Sequence, residues 1–301
     1  MIGAFMAILN IQITNASLLD IEGGIGTGVD NGAWVSTAYL IGEIVVIPLT
    51  DYLSRVFSFR FYIIISTLFF ALFSMACAFA HDLGTMIALR GLQGFAGGVL
   101  IPMAVTMVVT RLPKPQQPLG FAMFALAVTF APAIGPTIGG YLTETYGWQT
   151  IFFVNTVPSL AMIVALWLTL AKEPMRLSLL KEGDWAGIAT MAIGLSALQT
   201  LLEEGNKDDW FGSPFIVRLA VVAVVFLGAF IWIELTVKQP LVDLRLLKGR
   251  NFGVGVLANV LVGFALFGTV YVLPQYLAQV QRYMPSRSAR CWPGPACPRS
   301  C

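Results

Sequence analysis

Residues 131–140 read Ala131-Pro132-Ala133-Ile134-Gly135-Pro136-Thr137-Ile138-Gly139-Gly140. Two prolines and three glycines in ten residues would break a helix in water, where proline removes a backbone hydrogen bond and clashes with the preceding turn. Yet the segment lies inside an uncharged run from Leu119 to Tyr141, long enough to cross a bilayer. In a membrane, neighbouring helices and local 3₁₀ or π adjustments satisfy the freed backbone groups, and glycines let another helix approach closely. The stretch therefore predicts a kinked, tightly packed membrane helix.

Composition carries the same reading along the whole chain. Of 301 residues, 57% are hydrophobic and only 11% are charged, and the mean hydropathy is +0.79. Soluble domains carry about 25% charged residues, so an all-α polytopic membrane protein is expected rather than a globular enzyme with one anchor. Nine apolar runs can be marked, at about 1–19, 33–50, 61–80, 84–109, 119–141, 150–171, 185–202, 215–236 and 252–276. No basic n-region with a small-residue cleavage site marks a cleavable signal peptide.

Charge is distributed unevenly between the connections. Those after the even-numbered runs hold Arg55, Arg60, Arg111, Lys114, Lys172, Arg176, Lys181, Lys238, Arg245, Lys248 and Arg250, whereas the opposite connections up to the ninth run hold Lys207 and nine acids. The positive-inside rule puts the basic side and the N-terminus in the cytoplasm.

Few polar groups lie deep in the runs. Arg90 falls about seven residues into the fourth, roughly 10 Å deep at a rise of 1.5 Å per residue. Arginine at a bilayer centre costs about 2.5–3.5 kcal/mol on insertion scales, so Arg90 must face protein or water. It reads either as a hydrogen-bonding hub for backbone carbonyls or as a group that senses a proton on a neighbouring acid. Glu43 lies about ten residues into the second run. A carboxyl removed from water can exist protonated, which makes Glu43 the candidate proton carrier, against the plainer reading of a neutral Glu bonded to a neighbour. Asn10, Gln12, Asn15 and Tyr39, with Asn259, Tyr271 and Gln275 of the ninth run, are candidates to line a cavity or to hydrogen-bond between helices. Trp34, Trp148, Trp185 and Trp210 fall near run ends, as an interfacial aromatic belt would.

No catalytic constellation is visible, so no enzymatic activity and no cofactor is expected. The sequence has one histidine, His81, and neither a phosphate-binding loop, a zinc spacing nor a nucleophile elbow. Nothing suggests nucleic-acid binding. Cys77 sits in an apolar run as a packing residue, while Cys291, Cys297 and Cys301 crowd the last residues.

Four motifs in order carry a family resemblance. Leu89-Arg90-Gly91-Leu92-Gln93-Gly94 resembles the fourth-helix motif of major facilitator superfamily transporters. The segment at 131–140 resembles their fifth-helix antiporter motif, with Ala131 in place of its first glycine and Gly135, Pro136, Gly139 and Gly140 matching. Trp148 with Ile151-Phe152-Phe153-Val154-Asn155 and Pro158 is similar to the entry of their sixth helix. Residues 8–19 resemble their first-helix motif, with Asn10 at the position of its aspartate. The connection at 51–60 is a degenerate version of their loop motif, with Asp51 replacing a glycine and Arg55 an aspartate. Together these resemble the 14-spanning drug:proton antiporters of the EmrB/QacA type.

The resemblance implies a division of the chain and a mechanism. Residues 1–171 would form a six-helix bundle, 172–184 a cytoplasmic connection, 185–236 two additional helices, 237–251 a cytoplasmic loop and 252–281 the first helix of an incomplete second bundle. It further implies alternating access in a bacterial inner membrane, with small amphipathic or hydrophobic substrates leaving as protons enter. Arg90 would serve proton coupling with Gln93 and Gly94 of its motif, the antiporter motif would limit leak, and a periplasmic adaptor and an outer-membrane channel would be partners. Because Asn10 replaces the family aspartate, Glu43 becomes the candidate acid. An importer is disfavoured by the antiporter motif, while a non-transporting fragment is the alternative. Residues 282–301, with four Arg, four Pro and three Cys, depart from the family and are expected to be a disordered, frameshifted tail.

Overall fold

A computed structural model of the chain describes residues 1–27, 31–237 and 240–279. The described residues contain helices and loops but no strand. The first span is a bent pair, α1 (Ile2–Ala16) and α2 (Leu18–Ile25), inclined at 65° to each other. Then come α3 (Ala33–Phe57), α4 (Phe59–Cys77), a fourth span from α5 (Leu83–Gly97) and α6 (Leu100–Arg111), a fifth from α7 (Gln117–Tyr146), and a sixth from α8 (Thr150–Phe153) and α9 (Thr156–Thr169). A short α10 (Leu179–Glu182) precedes α11 (Trp185–Glu204), α12 (Pro214–Thr236) and α13 (Arg250–Gln279). Seven helical segments between Ala33 and Thr236 are long and apolar enough to cross a membrane, and the bent pair makes an eighth. The expected spans are thus present as helices.

The α7 helix continues through Pro132 and Pro136. The first span, expected to be one run over 1–19, turns at Ser17. Ser17 is fully buried there, and its hydroxyl lies 2.7 Å from that of Thr143 on α7. The sixth span breaks at Val154-Asn155. Ser74 of α4 donates to the Phe152 carbonyl at 2.7 Å and accepts from Asn155 Nδ2 at 3.1 Å, so a side chain supplies what the interrupted helix loses.

Local signals set the helix starts. Asp82 caps α5 by accepting from the Thr85 N–H, and Asp184 caps α11 by accepting from the Gly187 N–H, each at 2.9 Å. Gly147, at φ +88°, ends α7 in a conformation that β-carbons disfavour.

The chain divides into two compact units, Met1–Asp243 and Leu244–Cys301. In the first, α3 packs on α5, α1 on α7, α4 on α5 and α9, and α11 on both α12 and α3. The expected pair of additional helices therefore belongs to the same unit as the six preceding spans. Outward faces are apolar: Leu168, Val157, Val224 and Trp232 are each more than 70% exposed. Exposed apolar faces of this kind are suited to lipid. Trp148, in the connection between the fifth and sixth spans, is buried edge-to-face against Phe152 with ring centroids 6.2 Å apart. The second unit contains α13, on which Asn259 is exposed. The side chains of Tyr271 and Gln275, and the tail at 282–301 with its three cysteines, lie outside the described residues.

Candidate functional site

Packing of α3 against the fourth span creates the site. Gly42, Gly94 and Gly98 bring the two backbones together. A β-carbon at Gly94 would sit 2.0 Å from the Tyr39 carbonyl oxygen, one at Gly42 2.2 Å from that of Gly91, and one at Gly98 2.9 Å from that of Glu43. No larger residue fits at these contacts, so small residues decide which helices touch.

Arg90 projects from α5 into this contact and is 1% exposed. Its Nε donates to the Val35 carbonyl on α3 at 3.2 Å, and its Nη1 donates to Asn10 Oδ1 on α1 at 2.6 Å and to Gln93 Oε1 at 2.7 Å. The guanidinium carbon stands 4.4 Å from the centroid of the Tyr39 ring and 5.9 Å from that of Phe152. A desolvated cation over an aromatic face gains about 2 kcal/mol. The Tyr39 hydroxyl in turn donates to the Ala7 carbonyl at 3.4 Å. Arg90 thus joins α1, α3 and α5, with α8 contributing a ring.

The acceptors around Arg90 are neutral. Among the described residues no carboxylate lies within ion-pair distance of it. Glu43, one turn beyond Tyr39 on α3, is 6% exposed and within the field of the guanidinium. The arrangement holds a fixed positive charge in a neutral cage beside one buried acid. The buried thiol of Cys77 also reaches this cage, its Sγ 3.8 Å from Gln93 Oε1. Among the described residues no group of three or more His, Cys, Asp or Glu side chains converges to hold a metal.

The other sequence candidates separate. Ala131, Gly135 and Gly139 form one buried stripe of α7 against α1. A β-carbon at Gly135 would lie 2.5 Å from Gln12 Cβ, and one at Gly139 2.9 Å from the Ile13 carbonyl oxygen. Pro136 is exposed, and the space over Gly140 is open to 4 Å. Asn10 and Tyr39, named for a cavity wall, sit in the Arg90 cage. Asn15 accepts from the Ser36 hydroxyl at 2.6 Å.

Sequence reading overlooked the buried acids of α11 and α12. Glu204, 1% exposed, accepts from the Thr37 hydroxyl at 2.9 Å and lies 3.6 Å from Lys207. Glu234, also 1% exposed, accepts from the Val242 N–H at 3.1 Å. Both are at span ends, where an acid reads as solvated; the available signal was their position on the inward stripe of an otherwise apolar helix.

Comparison with known proteins adds three findings. A family model described as Major Facilitator Superfamily matches residues 1–289. The chain is 36% identical over 279 residues to the "Colistin resistance protein EmrB" of Acinetobacter baumannii, covering 93% of this chain and 54% of that protein. It is 34% identical over 282 residues to the "Multidrug export protein EmrB" of Escherichia coli K12, covering 94% and 55%. The chain therefore spans about half the length of these curated relatives. Among solved structures, a peptide transporter POT aligns with a TM-score of 0.57 at 16% identity, covering 79% of this chain and 51% of that one; this likeness concerns the fold alone.

Proposed function

Because the chain belongs to the Major Facilitator Superfamily, we propose that it works in proton-coupled efflux of small amphipathic or hydrophobic toxic compounds across a bacterial inner membrane. The observation that carries this reading is the Arg90 cage, which ties three helices to one buried cation beside Glu43. In an alternating-access cycle, protonation of Glu43 would change the field at Arg90, and Arg90 would pass that change to α1 and α3 through Asn10 and Val35. The names of the relatives, colistin resistance and multidrug export, support drug-like cargo. The basic connections and the N-terminus would face the cytoplasm by the positive-inside rule. A periplasmic adaptor and an outer-membrane channel are proposed partners.

A second reading is an assembly module that does not itself transport; the chain spans about half the length of the relatives it matches. Expression in a drug-sensitive host separates the two. Resistance and dye efflux driven by an imposed pH gradient, both abolished by Arg90→Ala, support the exporter. Membrane insertion without efflux supports the second reading.

A further inference from the structure

Two carboxyls meet at the ends of α11 and α12, away from the Arg90 cage. Asp184 uses Oδ1 to cap α11, accepting from the Gly187 N–H at 2.9 Å. Glu234, 1% exposed, uses Oε2 to accept from the Val242 N–H at 3.1 Å. The remaining oxygens, Asp184 Oδ2 and Glu234 Oε1, are both buried with no hydrogen-bond donor. They flank the same point over Gly187, where a β-carbon would lie 2.3 Å from Asp184 Oδ2 and 3.3 Å from Glu234 Oε1. A glycine is thus what lets the two acids close over the helix.

Two ionised carboxylates so placed would repel each other and leave two desolvated acceptors unsatisfied, which burial makes costly. One proton removes both penalties, because a carboxyl O–H donates to the facing carboxylate. Asp184 also lines a cleft of about 110 Å³ with Tyr52, Arg55, Leu179, Pro240 and Leu241, which gives the pair a route to water. The other charged groups nearby are Arg55 of α3, paired with Asp51 at 2.5 Å, and Asp243, next to Val242.

We propose that Asp184 and Glu234 form a proton-binding site in which one carboxyl donates to the orphan oxygen of the other, clamping the start of α11 to the end of α12. The proton enters from bulk water through the cleft, forms an O–H bond on one acid and returns to water on release. Through Val242 the clamp also holds the segment that follows α12. The proposal goes beyond the efflux reading and holds whether or not the chain transports.

The test uses the full chain in lipid nanodiscs, as wild type, Glu234→Gln and Asp184→Asn. Infrared spectra read the carbonyl band of a protonated carboxyl, and hydrogen exchange, corrected for the intrinsic base-catalysed rate, reads the protection of residues 241–243 at each pH. In the wild type the band should disappear and protection should fall several-fold as the pair loses its proton with rising pH. Either substitution should remove the band, since the proton belongs to both acids, and should make protection independent of pH, since the amide N–H replaces the proton. Both substitutions preserve side-chain size; if one fails to fold, the other decides. Variants that retain the wild-type band, or its pH-dependent protection, overturn the proposal.

Discussion

Arg90 Nη1 donates to Asn10 Oδ1 at 2.6 Å, joining α5 to α1 across eighty residues of sequence. Hydrogen bonds to charged groups contribute about 1.5–3 kcal/mol. Asn10→Ala should therefore lower stability by about that amount, while Asn10→Asp, which keeps an acceptor and adds a charge, should be tolerated. Thermal unfolding of the two variants in nanodiscs decides it; equal losses would mean that Asn10 contributes shape rather than a bond.

Arg90→Lys keeps the charge and loses the fork. An ammonium is a compact point charge, whereas the guanidinium reaches Val35, Asn10 and Gln93 while lying over Tyr39. We expect a stability loss of at least about 1.5 kcal/mol, equivalent to one charged hydrogen bond. A wild-type unfolding midpoint for Arg90→Lys would show that charge alone suffices.

Adjacent glycines of one motif should behave in opposite ways. Gly139→Ala places a β-carbon 2.9 Å from the Ile13 carbonyl oxygen, whereas Gly140→Ala meets nothing within 4 Å. The first should destabilise by about 1–3 kcal/mol through overpacking. The second should be neutral or gain up to ~1 kcal/mol from helix propensity. Gly94→Ala should be worse than either, because its β-carbon would lie 2.0 Å from a carbonyl oxygen. Parallel melting curves of the three variants give the order directly.

The α11–α12 hairpin is held to α3 in part through Thr37 and Glu204. Removing the hydroxyl with Thr37→Val leaves Glu204 with Lys207 at 3.6 Å, and should cost about 1.5–3 kcal/mol. Limited proteolysis at the exposed 206–213 connection should accelerate in Thr37→Val and much less in Glu204→Gln, which still accepts. Equal protease resistance in all three forms would remove this contact from the docking.

Outside the membrane spans, Asp82 gives a pH dependence with a definite sign. Hydrogen bonds from Thr85, side chain first and then backbone, hold its carboxyl below the usual aspartate range. A group lowered on folding stabilises above its unfolded pKa and loses that contribution as pH falls through the folded value. The start of α5 should therefore fray on acidification below about pH 4. Asp82→Asn, which still caps, should abolish this acid sensitivity in amide exchange of residues 83–86.

Spans and their order were legible because apolar runs of twenty residues have few alternative explanations. So was the importance of Arg90, since a lone buried cation must be satisfied by something. Its partners were not legible: Val35 contributes a backbone carbonyl, which has no sequence signature, and Asn10 and Phe152 reach it only through folding. The bend at Ser17 was missed because it is stabilised from Thr143, on a helix far away in sequence. Glu234 and Asp184 were passed over because acids at span ends normally face water, and only the fold reveals that Gly187 draws them together.

The Arg90 cage also implies a chronology. Asn10 and Val35 leave the ribosome long before Arg90 does, so the first two spans must wait beside the point of insertion with their polar acceptors unclaimed. The fourth span cannot comfortably enter lipid until they are at hand to receive its cation. Synthesis of this protein is then a matter of rendezvous: an early departure of span one would leave the cation of span four without Asn10.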